Sequence, residues 1–183
     1  MKIAHRIASL AIVTVLAVAG VAIAAAPSSA APAGKKTTYS GITVISLDKS
    51  LKPVADQMVL VAPAKKKGSK LTFPVVGVEG NGILLAGGTR AGSDPIIITK
   101  DNGTGAITLS VAGTSVEVFT ISDWKVRDTS RKGKVTTQRW QGVLHLTQNQ
   151  AVVDKMNAAA GTKFFTAGQV FGKIRTTVKS TKG

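Results

Sequence analysis

Val170-Phe171-Gly172-Lys173-Ile174-Arg175-Thr176-Thr177-Val178-Lys179 is the stretch from which the fold can be read. Val170, Ile174 and Val178 share one parity with Gly172 and Thr176. Phe171, Lys173, Arg175 and Lys179 share the other. A period of two is the signature of a strand, because successive side chains point to opposite faces. One parity is suited to a core and the other carries three cations to water. Such a strand belongs to an antiparallel sheet with one wet face.

Upstream lies the one helical pattern. Thr147-Gln148-Asn149-Gln150 fits a capping box, in which a hydroxyl and a side-chain amide satisfy orphan backbone donors. Val152, Met156 and Ala159 then make an apolar stripe, and Gly161 is placed to end it. The spacing predicts a helix over 148–160. Everything between Tyr39 and Leu146 reads as short strands and turns. Tyr39–Asp48 carries apolar residues on both parities, as a strand between two layers would. Lys49–Asp56, with Pro53, is a turn or one helical turn, and Gln57–Ala62 a short apolar strand. Pro63–Lys70 is an exposed lysine loop. Leu71–Val78 is a strand, with Pro74 marking an edge or a bulge. Ile83–Thr89 and Pro95–Lys100 follow, and Asn102-Gly103 signals a tight hairpin. Ile107, Leu109 and Val111 alternate with Thr108 and Ser110. Val116–Trp124 is a strand, Ser130–Lys134 a basic loop, and Val135–Leu146 one long or two short strands. Eight or nine short strands at near-regular spacing imply an all-β, mainly antiparallel fold, a β-sandwich or a β-barrel. With nothing in the pattern demanding closure, the expectation is a sandwich with one late α-helix.

At the other end, Ile7–Ala26 is uncharged and follows Lys2 and Arg6. Small residues come next, up to Ala33. This is the pattern of a secretory signal peptide over 1–30, cut after Ala30 or Ala33. Residues 31–38 then form a flexible arm and 39–183 a single domain. The expected location is secreted or in the cell envelope, with membrane contact only through an uncleaved leader.

The chain has 24 basic and 9 acidic residues, a net charge of +15. Removing residues 1–30 takes Lys2 and Arg6 and no acid, leaving +13. Such a surplus attracts polyanions. Three clusters are candidates for that contact: Lys65, Lys66, Lys67 and Lys70; Arg131, Lys132 and Lys134, with Arg127 nearby; and Lys173, Arg175 and Lys179. With no cysteine, thiol catalysis and Cys-ligated metals are excluded and the core must hold the fold without disulfides.

Reactive constellations are sparse. His145 is the one histidine beyond the leader, and no serine sits in a G-x-S-x-G turn. Acids are few and stand singly at turns, such as Asp48, Asp56, Asp94 and Asp101. The glycine-rich segment around Gly87 lacks a following helix and the Lys-Ser/Thr of a phosphate loop. Trp140 beside Arg139 is the one pair suited to base stacking, and a core tryptophan accounts for it better. The pattern predicts no enzyme, no metal and no specific nucleic-acid partner.

Two segments carry a resemblance. Leu71-Thr72-Phe73-Pro74-Val75-Val76-Gly77 with Gly82-Ile83-Leu84-Leu85-Ala86-Gly87-Gly88-Thr89 resembles secreted actinobacterial proteins related to the HtaA-type haem-uptake domain. So does the tail from Leu146-Thr147 through Met156-Asn157, Phe165, Ala167-Gly168 and Gly172. The resemblance implies a β-sandwich at the envelope, and for some members haem held by a tyrosine with a supporting histidine. Here Ala86 stands where the histidine would precede Gly87-Gly88. Tyr39 and His145 are the remaining candidate haem ligands. The expected function is an exported, non-enzymatic protein contacting anionic envelope polymers or lipids. The alternatives are haem uptake and a secreted hydrolase using scattered carboxylates.

Overall fold

The computed structural model describes residues 36–183, apart from 56–59, 61, 88–95, 102, 112–113 and 160–162. The expected leader, its cleavage sites, most of the arm and most of the strand expected at Gln57–Ala62 lie outside the described residues.

Among the described residues nine strands run in the order β1 (Thr38–Leu47), β2 (Lys65–Lys67), β3 (Lys70–Glu79), β4 (Gly82–Leu85), β5 (Ile96–Asp101), β6 (Thr104–Val111), β7 (Thr114–Lys132), β8 (Val135–Leu146) and β9 (Val170–Thr181). A 3-10 turn (Lys49–Leu51) and the short α1 (Lys52–Ala55) follow β1, and α2 (Gln150–Ala159) lies between β8 and β9. All pairings are antiparallel. From β3 to β9 each strand pairs with the next. β9 pairs with β1, and β1 returns to β3 through Gly41↔Val75 to Ser46↔Lys70. That last pairing closes an eight-stranded meander into a barrel, with β2 as a short flap on β3. The expected all-β class holds. The expected sandwich gives way to one sheet closed on itself, which removes most of the edges that an open sheet would leave.

The inward parity builds one core. Ile45, Leu47, Leu71, Phe73, Ile83, Leu85, Ile98, Ile107, Ile121, Leu144, Leu146 and Ile174 are buried in it. Leu51, Val54, Val153 and Phe165 fill it from the helices and the loop before β9. Asp48 caps the 3-10 turn, its carboxylate accepting hydrogen bonds from the Ser50 backbone N–H at 2.9 Å and hydroxyl at 2.8 Å. The backbone bond, then the hydroxyl bond, holds its pKa below the ordinary aspartate value. The Asn157 amide clamps the loop to α2, donating to the Phe165 carbonyl at 2.8 Å and accepting its N–H at 2.9 Å.

Several local expectations change. β1 does not lie between two layers: Thr43, Ile45 and Leu47 are buried, whereas Ile42 faces outward at 44% exposure. In β9, Val170 is exposed and Phe171 buried, opposite to the plain alternation. A register shift between Leu144↔Gly172 and His145↔Val170 inserts one residue and reverses the parity there. Ser130–Lys134 is not a loop but the tip of the long β7–β8 hairpin, turning at Gly133 with φ +58°. Lys65–Lys67 is strand, not loop. Of the two alternatives at Pro74 the bulge is present, between Val75 and Gly77, in a strand paired with β1 and β4. The helix cap is Asn149, whose side chain accepts the Ala151 N–H at 3.1 Å. Gln150 bonds forward to Asp154 instead of back to Thr147. Val153, not the Val152–Met156 stripe, is the helix residue fully buried.

Candidate functional site

β7 pairs with β6 only as far as Ile121, and the Trp124 N–H then closes on the Gly103 carbonyl at 2.9 Å. With β8, however, β7 pairs to Lys132. The second half of β7 therefore rises out of the ring with β8, β9 and the start of β1. This four-stranded extension has two faces.

The outward face follows from the register. Taking β7, β8, β9 and β1 in turn, its rows are Lys132–Val135–Thr181–Thr38, Ser130–Thr137–Lys179–Ser40, Asp128–Arg139–Thr177–Ile42, Lys125–Gln141–Arg175–Val44 and Ser122–Val143–Lys173–Ser46. The last three rows continue around the ring, the first of them through Ile42 to Pro74. Val44 meets Thr72 and then Lys65, and Ser46 meets Lys70 and then Lys67. Lys65, Lys67, Lys70, Lys125, Lys132, Arg139, Lys173, Arg175 and Lys179 thus share one outer surface, and all are exposed. Asp128 is the one acid in these rows, and it is ion-paired with Arg139.

The structure therefore brings seven of the ten expected polyanion contacts together. Lys66 pairs with buried Leu71 and is half-buried on the inward parity. Arg131 lies in the inward row with Thr136, Ser180 and Tyr39, and Lys134 is in the turn. Lys125 and Arg139 were missed. Arg139 shows as the outward neighbour of an inward tryptophan, a signal present in the sequence. Lys125 was hidden by the bulge just before it.

That bulge also explains the tryptophans. Asp123 and Trp124 together oppose Gly142, with Asp123 at φ +54°, a conformation that a short polar side chain tolerates. Trp124 turns inward over Gly105 and Gly142, where a Cβ would press on its ring. It is 2% exposed and stacks on Trp140 with centroids 5.5 Å apart. Trp140 is thus a core-facing residue, and Arg139 points the other way. The Trp140–Arg139 pair does not form a base-stacking site.

Tyr39 and His145 are not brought together. Tyr39 faces Ser180, which faces Thr136 on β8. His145 lies nine residues along that strand, roughly 30 Å away at about 3.3 Å per residue. The two do not form a shared haem-ligand set. Instead, His145 Nε2 is 3.0 Å from the Ser122 hydroxyl on the outer face. Ser122 borders a shallow groove with Thr120, Glu117, Ala106 and Thr99. The Glu117 carboxylate accepts the Thr147 hydroxyl at 3.4 Å. Among the described residues no cluster of three or more His, Cys, Asp or Glu is placed to hold a metal ion.

The fold and face define a closed antiparallel meander barrel with a continuous cationic stretch on its outer surface. No family model matches the sequence, and no curated protein matches it. Among solved structures the chain is similar to the C-terminal domain of HtaA from Corynebacterium glutamicum. The TM-score is 0.47 and the identity 14%, over 80% of this chain and 99% of that one. A likeness of this size carries no argument about ligand or activity.

Proposed function

We propose that this is an exported, non-enzymatic binding protein that holds anionic polymers or lipid headgroups of the cell envelope on its outer sheet face. One observation carries the reading: nine exposed cations share a continuous surface whose rows contain a single acid, already paired. Solubility alone would be served by mixed charges spread over all faces. A continuous stretch of one sign attracts an extended anion and repels cationic neighbours. The leader-like Ile7–Ala26 supports placing this surface outside the cytoplasm. Retention on isolated cell walls or anionic vesicles at graded salt tests the reading. Strong retention at low salt, falling steeply as salt rises, is expected. Absence of retention at low salt, or retention indifferent to salt, rejects it.

The haem-uptake alternative now rests on Tyr39 or His145 acting alone. Titration with haemin decides it, since a Soret band identical to that of free haemin removes it.

A further inference from the structure

The basic face contains a file as well as a patch. Lys173, Arg175 and Lys179 stand on one strand at alternate outward positions, with the Thr177 hydroxyl in the gap and Arg139 beside it in the same row. Their neighbours on both sides are neutral: Ser46, Val44, Ile42 and Ser40 on β1, and Val143, Gln141 and Thr137 on β8. Two residues of strand advance about 6.6–6.8 Å and contain six backbone bonds. A phosphodiester chain joined through three carbons also has six bonds from one phosphorus to the next, P–O–C–C–C–O–P. Drawn out, six such bonds cover about 7 Å, by the same bond geometry that limits an extended peptide. The two repeats match.

Resting on the polyanion reading above, we infer that the ligand is a single extended polyol-phosphodiester chain lying along β9, with successive phosphates at Lys173, Arg175, the Thr177 hydroxyl and Lys179, the neighbouring Arg139 being held by Asp128. Lys70 and Lys67, continuing the Lys173 row, receive the chain as it leaves the strand. Other polyanions fit less well. In extended polyglutamate the carboxylates on one side recur at this same spacing, but every second carboxylate is turned away from the face and only half of its charge is met. A flat bilayer meets a convex barrel wall along a narrow strip. A nucleic acid strand has the correct phosphate repeat, but it gains affinity from aromatic stacking. The rows of this face contain no aromatic residue, and Trp140 lies on the opposite face.

The test is the affinity of the purified chain for a synthetic glycerol-phosphate oligomer of twelve repeats, measured across a salt series. Polyglutamate and oligo(dT) of equal charge are run beside it. In the triple variant Lys173→Gln, Arg175→Gln, Lys179→Gln, affinity at low salt is expected to fall at least tenfold. The slope of log affinity against log salt is expected to flatten by about two, since each contact on a single-stranded phosphate chain contributes roughly 0.7. The charge-matched control Lys52→Gln, Lys155→Gln, Lys163→Gln, with all three sites exposed and off this face, is expected to change affinity less than threefold. Unchanged melting temperatures show that both variants fold. Equal weakening in the two triples overturns the inference while leaving a diffuse polyanion reading in place. Polyglutamate binding as tightly as the phosphodiester, or oligo(dT) binding more tightly, overturns the choice of occupant. Failure to bind any of the three at low salt overturns both the inference and the function it rests on.

Discussion

Thr43 and Thr176 are a polar pair buried inside the barrel. Their hydroxyls are 2.9 Å apart and both residues are essentially unexposed. Each hydroxyl needs the other, since burial without a partner costs far more than the net worth of the bond. Thr176→Val should therefore cost about 1–3 kcal/mol by orphaning the Thr43 hydroxyl. Replacing both threonines by valine should recover most of that loss, as chemical denaturation would show. A double variant no more stable than the single one would mean that the hydroxyls are not paired. Gly41 and Gly172 impose a different demand. Both sit at positive φ on the β1–β9 seam, where a Cβ would run into a carbonyl oxygen of the facing strand. Such positions favour glycine because only a residue without a side chain lets two backbones approach so closely.

Among the elements, the start of α2 separates what can be read locally from what cannot. Thr147 and Gln150 have the spacing of a capping box, but Thr147 is drawn to the barrel. It is 2% exposed, and its N–H bonds to the Val118 carbonyl at 3.0 Å. Asn149 takes over the cap. Asn149→Ala should cost about 1 kcal/mol, whereas Gln150→Ala, on the exposed side, should stay within about 0.5 kcal/mol. Thermal melts of the two variants would reveal the reverse order if the box were real. The strands show the same limit. Ile174, Thr176 and Val178 follow the alternation, and the three cations of β9 are outward as that alternation requires. Val170 and Phe171 do not, because a bulge changes parity without altering composition. The candidate face was legible as a file of cations on β9. Its width was not, because joining Lys173 to Lys70 takes two long-range registers.

At the scale of the whole molecule, closure is the feature no segment announces. It depends on β1 meeting β3, a pairing between strands that also have partners elsewhere. The alternation that fits a sandwich fits a barrel equally well. Among the described strands, the longest stretch without a second strand partner is the side of β7 beyond Trp124. Backbone amides of residues 125–132 that face away from β8 should exchange with solvent fastest among the strand amides. Those in the β1–β3 and β1–β9 seams should exchange slowest. Hydrogen exchange followed residue by residue would measure this, and uniform protection along β7 would show that something covers its free side. This part of β7 carries Lys125, Arg127, Arg131 and Lys132 on its two faces, and such a charged edge strand discourages strand addition by a second copy of the same basic chain.

Thr38 faces Thr181, and the Lys182 N–H reaches the Lys134 carbonyl at 3.1 Å. The start of β1 and the end of β9 therefore meet beside the turn at Gly133. A short link between them, with the chain reopened at that glycine, would preserve every strand neighbour while changing which strand comes first. The order of synthesis is thus separable from the order around the ring, and a relative with its strands permuted in this way would be the same barrel.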